Sequence, residues 1–158
     1  MQAFHQRTKT ISGFFTQASY VQNIKCQFVS TTNSPTYDCA VSLKFLPGPI
    51  KIQAITKQGI LLCVNEDNPR RHRIPEYYVC KPCTKEWHQI SNPKTMFLTE
   101  RIGMIIFILE PFCYKIVRFS KPKFVCTNYK SKSYNTLRCE LFPSETWTWK
   151  RLTNVLLP

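Results

Sequence analysis

Glycine is scarce in this 158-residue chain, with four residues against eleven prolines. Tight reversals normally use glycine wherever φ must be positive, so the turns here must draw on Pro, Asn, Ser and Lys. Acidic residues are also few: nine, against 22 lysines and arginines, which leaves a formal charge of +13. A charge of that sign favours nucleic acid, anionic membranes or acidic proteins as neighbours and says nothing about fold. Long apolar runs are absent. The most apolar window, "GMIIFILEPF", is stopped by Glu110 and Pro111 after six apolar side chains, against the roughly 20 of a spanning helix. Nor does any segment keep apolar residues at i, i+3, i+4 and i+7 for three turns, which excludes a helical bundle. The N-terminus offers only Ile11 to Phe15, shorter than the roughly 7–15 apolar residues of a secretory signal. These absences lead us to expect a chain with no membrane partner, cytoplasmic or nuclear.

What the chain does contain is β-like. With 43% hydrophobic and 13% aromatic residues it reads as globular, and its length suits one domain with a real core. The apolar runs are short, rich in β-branched and aromatic residues, and bounded by Pro, Asn, Ser or Lys, as strands are. Strands are predicted over Ile11–Thr16, Ile24–Ser30, Tyr37–Phe45, Ile50–Ile55, Ile60–Val64, Tyr77–Cys80, Trp87–Ile90, Met104–Leu109, Tyr114–Phe119, Phe124–Tyr129, Leu137–Phe142 and Trp149–Leu152. Several are apolar on both sides. In "CYKIVRF", Tyr114 and Ile116 face one way while Cys113, Val117 and Phe119 face the other, so sheets must cover both faces, as in sandwiches or stacked propeller blades.

A repeat favours the propeller. Thr84, Trp87 and Ile90 recur as Thr146, Trp149 and Leu152, 62 residues later, each set after a strand and a polar turn: "YYVCKPCTKEWHQI" beside "RCELFPSETWTWKRL". The shared unit is a strand, a turn and a returning strand that opens with a buried tryptophan acting as a packing anchor, the outer hairpin of a four-stranded blade. The expected organisation is a single partial β domain, with N-terminal strands in residues 1–36, a first blade in 37–92 and a second, truncated blade in 93–158.

The order of motifs carries a resemblance. "ISGFFTQ", "VSLKFLP", "KQGILLCV", "YYVCKPCTKEW", "YKIVRFS" and "CELFPSETWTWKRL" follow one another, from residue 11 to 152, as in the associated domain of plant F-box proteins. Gly59 to Cys63 resembles that family's "NGLLLC" strand, Tyr78 to Trp87 its "YVCNPTTKQW" hairpin, and Phe142 to Thr146 its "FSSET" turn. The resemblance implies a kelch-like β-propeller, here partial, all-β, with about two to three antiparallel four-stranded blades and little or no helix. It also implies the role of holding a protein target while an F-box binds the Skp adaptor of a cullin ubiquitin ligase. No F-box sequence occurs in these residues, so the chain is expected to bind targets without recruiting the ligase, as a fragment, a truncated product or a decayed copy. Lys81 stands where the family has a turn Asn, Cys83 where it has Ser or Thr, and Trp147 where a Gly follows "SET". Lys81 and Trp147 are therefore expected to strain or reshape their hairpins.

Other chemistries find less support. Cys80 and Cys83 are spaced as a zinc half-site, yet no second C-x-x-C or H-x₃₋₅-H accompanies them, and a strand thiol otherwise acts as a small core hydrophobe. No cofactor or metal is expected. His5, His72 and His88 have no nucleophile at a known catalytic spacing, so the chain is read as a non-enzyme. Phe112 to Arg138 mixes aromatics with Lys115, Arg118, Lys121, Lys123, Lys130, Lys132 and Arg138, as single-strand nucleic-acid surfaces do; in blades, though, lysines guard strand edges, and nucleic acid is the lesser reading. The remaining alternative is a small secreted, basic, disulfide-linked β protein of cytokine type. That class requires most of the eight cysteines to pair.

Overall fold

The computed structural model describes residues 13–20, 23–31, 42–65, 75–94, 97–107, 113–121 and 136–156, and among them there is no helix. The strands are β1 (Gly13–Tyr20), β2 (Asn23–Ser30), β3 (Ile50–Ile55), β4 (Leu61–Asn65), β5 (Glu76–Lys81), β6 (Glu86–Ile90), β7 (Leu98–Phe107), β8 (Cys113–Lys121), β9 (Thr136–Pro143), β10 (Lys150–Arg151) and β11 (Val155–Leu156). All pairings are antiparallel between sequence neighbours or near neighbours. β1 and β2 form a hairpin, β3-β4-β5-β6 a four-stranded meander, and β7-β8-β9-β10 a second meander in which β11 also pairs with β9.

The boundaries have local causes. Thr56 and Gly59 close the β3–β4 reversal, with Gly59 at φ 74 donating its N–H to the Thr56 carbonyl (3.0 Å). β7 begins at Leu98, upstream of the predicted Met104, because a bulge between Thr99 and Arg101 admits the charged pair Glu100–Arg101, which hides the strand from an apolar reading. The predicted strand Tyr37–Phe45 is corrected where it is described: residues 42–46 form a turn, with the Leu46 N–H on the Leu43 carbonyl (3.0 Å) and the Lys44 N–H on Ser42 Oγ (3.2 Å). Ser42 offers the backbone a competing partner, and Pro47 and Pro49 cannot donate to a ladder. The predicted strand Phe124–Tyr129 lies outside the described residues.

The two four-stranded sheets stack face to face. Ile60, Leu62, Val64, Tyr77, Val79 and Ile90 of the first meet Tyr114, Ile116 and Phe142 of the second, with Met104, Ile106 and Trp149 packed alongside. The opposite face of the first sheet, carrying Leu61, Cys63, Tyr78 and Cys80, is covered by Leu46 and by Phe15 of β1. β4 and β5 are thus buried on both sides, which explains why "LLCV" and "YYVC" show no alternation. Stacking is head to tail. Tyr77 and Val79 face the second sheet, whereas Glu140 and Phe142, the counterparts 62 residues on from Tyr78 and Cys80, face the first. Two copies of one unit therefore meet through opposite faces, as neighbouring blades do around a propeller axis and as halves of a two-fold sandwich do not. An all-β arrangement consistent with part of a β-propeller is what results.

A polar seam crosses this apolar interface. Arg118 of β8 has no exposed surface. Its Nη1 donates to Glu140 Oε2 at 2.5 Å, its Nε to Thr99 Oγ1 at 2.8 Å, and its Nη2 to the Phe97 carbonyl. Thr99 Oγ1 in turn pairs with the hydroxyl of Tyr77 in the first sheet (2.6 Å). A buried ion pair of this kind is close to neutral in net stability, but losing one partner strands the other. We predict that Arg118→Ala lowers unfolding free energy by about 3–5 kcal/mol, read from the urea midpoint. Replacing both partners with apolar residues (Arg118→Met with Glu140→Leu) restores most of it.

Candidate functional site

At the turn end of the interface the two sheets part to leave a cleft of about 880 Å³. Its first wall comes from the face of the first sheet that meets the second: Ile60, Val79 and His88, with Lys81 and Glu86 at the rim. Cys113, Tyr114, Ser144, Glu145 and Trp147 make the second wall. A smaller cleft of about 300 Å³, near Lys51, Tyr77, Thr99 and Arg101, lies at the other end of the same interface.

Turn chemistry positions the larger cleft's side chains. In the β5–β6 loop the Thr84 and Lys85 N–H groups donate to the carbonyls of Lys81 and Pro82. Thr84 Oγ1 donates to Glu86 Oε2 at 2.8 Å, which fixes that carboxylate beside the rim. On the other wall Ser144 ties the turn to β8 in both directions: its N–H donates to the Tyr114 carbonyl and its Oγ accepts from the Tyr114 N–H, each at 2.9 Å. The Trp147 ring makes edge-on contacts with Phe142 (5.3 Å), Tyr114 (6.5 Å) and, across the cleft, His88 (6.0 Å).

The scarcity of glycine shows in these loops. Lys85 and Trp147, 62 residues apart, adopt φ of 58° and 51°, a left-handed geometry normally left to glycine. The expectation of strain is met at Trp147. At Lys81 it is corrected: Lys81 is a strand residue paired with Glu86, and the left-handed position falls four residues later.

The repeated residues share backbone register but not surroundings. Ile90 is 1% exposed against the second sheet, and Trp149 packs on Phe142 (5.4 Å) while its Nε1 donates to the Ser91 carbonyl (2.5 Å). Trp87, expected to be a buried anchor, is instead 40% exposed and rests on Tyr78 (5.6 Å), and Leu152 is 42% exposed. Head-to-tail stacking explains both. Trp87 and Trp149 lie on equivalent faces, of which the second alone is covered by a full sheet, and Ile90 and Leu152 lie on the opposite faces, of which the first alone is covered. Thr84 braces Glu86, whereas the Thr146 hydroxyl accepts from Thr148 Oγ1 at 3.4 Å.

Among the described thiols, Cys63, Cys80 and Cys139 are core groups. None of Cys26, Cys63, Cys80, Cys83, Cys113 and Cys139 is in a disulfide, while Cys39 and Cys126 lie outside the described residues. Cys80 is buried and Cys83 exposed at the turn, so the C-x-x-C pair is divided between core and solvent. The Cys63 thiol is pushed well up, first by its hydrogen bond with Cys80 and then by burial; burial also raises Cys26 and Cys139. Protonated thiols are poor nucleophiles and poor metal ligands, and no group of three His, Cys, Asp or Glu among the described residues could hold a metal. Of the basic stretch, Arg118 is in the core, Lys115 sits over the Phe107 ring (4.8 Å) and Lys121 lies 3.7 Å from Glu100.

Sequence reading missed the cleft residues Glu86, His88, Tyr114 and Ser144 as a group. Ser144 and Glu86 carried a signal, being polar residues at the ends of the repeated turn, but their meeting depends on the two sheets being stacked.

Over 120 residues the chain is 38% identical to F-box protein At5g41720 of Arabidopsis thaliana, an alignment that covers 72% of this chain and 63% of that protein. The chain thus spans less than two thirds of the relative it matches. No family model and no solved structure matches. Among the described residues no helix is long and apolar enough to cross a membrane.

Two predictions concern this region. Burial pushes the phenols of Tyr78 and Tyr114 up to about 12 from 10. Unfolding returns them to 10, so the stability that the neutral phenols contribute is complete below pH 10 and is lost as pH rises through 12. A tyrosinate absorbance titration should show two phenols ionising near pH 12, coincident with loss of β-sheet circular dichroism. Lys85→Gly removes left-handed strain without touching packing and should raise stability by about 0.5–1 kcal/mol. Trp147→Gly should lower it, because the ring contacts with Phe142 and Tyr114 go too; thermal melts of the pair separate the two effects.

Proposed function

We propose that this chain, as a relative of a plant protein named an F-box protein, is the target-holding region of an F-box-type adaptor for a cullin ubiquitin ligase. The observation that carries the reading is the 38% identity over 72% of the chain. It is supported by a cleft with one wall on the face of the first sheet and the other on β8 and the turn that carries Ser144, Glu145 and Trp147, a concave site on a rigid scaffold. The target is a protein, and recognition is non-covalent. The Tyr114 phenol in the cleft wall is pushed up to about 12 by burial and stays protonated at neutral pH. Skp adaptor and cullin engage through an F-box outside the residues that form the cleft, and the stacked sheets belong to a kelch-like propeller.

The test is a chimera in which an F-box known to bind Skp adaptor is fused ahead of residues 1–158 and expressed in plant cells with the proteasome inhibited. Ubiquitinated proteins that accumulate with the wild-type chimera should disappear with the cleft variant Trp147→Gly, provided that variant remains folded by circular dichroism. The same set with both chimeras would sink the cleft as the target site. Retention of purified Skp adaptor by residues 1–158 alone would overturn the division of labour.

A further inference from the structure

We infer that the cleft accepts a single cationic side chain of the target, a lysine or arginine flanked by apolar residues. The inference rests on the recognition reading and adds the chemistry of the bound segment. Charge is its first ground. The chain carries +13 overall, yet the cleft walls hold two carboxylates, Glu86 and Glu145, against one formal cation, Lys81. The cleft is therefore locally acidic on a basic molecule. Glu86 is also pre-oriented, because Thr84 Oγ1 donates to its Oε2 at 2.8 Å, so little side-chain freedom remains to be lost on binding.

The second ground is aromatic. Trp147 is held by Phe142, Tyr114 and His88 and still leaves 40% of its surface exposed. A fixed, half-exposed indole attracts cations through its negative face. Its left-handed backbone (φ 51°) is one that a bulky residue avoids elsewhere, and such strain tends to gather at ligand-binding positions. An acidic side chain would find Lys81 alone and two like charges. The flanking apolar residues follow from Ile60 and Val79, which line the same wall. The positive field of the rest of the molecule repels polycations, which restricts the match to one cation in an apolar setting and excludes a basic run.

The test follows the indole N–H resonance of Trp147 in the isotope-labelled chain during titration with acetyl-Leu-Arg-Leu-amide, its citrulline isostere and acetyl-Leu-Glu-Leu-amide. The arginine peptide should bind roughly threefold to tenfold tighter than the citrulline peptide, and the glutamate peptide weakest. Glu86→Gln and Glu145→Gln should each erode the preference, while Lys81→Gln should strengthen arginine binding, an outcome that a purely structural role for these exposed side chains would not give. Equal binding of arginine and citrulline peptides, tighter binding of the glutamate peptide, or a neutral Lys81→Gln would overturn the inference. Any of these with target capture still dependent on Trp147 leaves the recognition reading standing; loss of that dependence falls on the recognition reading itself.

Discussion

The Thr99 hydroxyl, held within the second sheet by the buried Arg118–Glu140 pair, registers that sheet on the first through its hydrogen bond with the Tyr77 hydroxyl (2.6 Å). Apolar contact supplies the drive: each side chain of the size of Ile116 or Phe142 that leaves water contributes about 1.5–3 kcal/mol, and the ion pair contributes little net. Apolar faces, however, tolerate sliding. The hydrogen bond between Thr99 and Tyr77 does not, and the guanidinium of Arg118, whose three directed donors all stay within the second sheet, holds Thr99 in place for it. The clefts at both ends of the interface owe their shapes to that fixed register.

Head-to-tail stacking then decides the fate of repeated residues. The sequence copies a hairpin at a 62-residue offset, and the copies keep even the left-handed residue, Lys85 in one and Trp147 in the other. Their environments differ because each sheet has a different neighbour on each face. One tryptophan is packed and one is exposed; one aliphatic at the strand end is core and one is surface. The same asymmetry puts the wall bearing Glu86 and His88 opposite the one bearing Trp147, and so makes one cleft from a strand and a turn that are separated in sequence.

Legibility followed the reach of each interaction. Strands such as Leu61–Asn65 and Cys113–Lys121 could be read because β-branched and aromatic runs bounded by polar residues need no partner to be recognised. Residues 42–46 have the apolar composition of a strand, but Ser42 and the two following prolines favour the turn they form. The start of β7 was hidden by a bulge that lets Glu100 and Arg101 sit in a strand. Arg118 looked like one more surface cation, since nothing local marks a basic residue whose counter-ion lies 22 positions away on a neighbouring strand.

The sequence by itself determined the all-β class, the repeated hairpin and the strain at Trp147, because each depends on short-range sterics and on residue types a few positions apart. Only the tertiary structure decided which face of each sheet is covered, that Trp87 is exposed while Trp149 is packed, that Lys85 and not Lys81 carries the left-handed turn, and that Glu86, His88 and Trp147 share one cleft. Those outcomes turn on the docking of two sheets, whose polarity no local pattern encodes and in which Thr99, held by the buried Arg118–Glu140 pair of its own sheet, meets Tyr77 of the other.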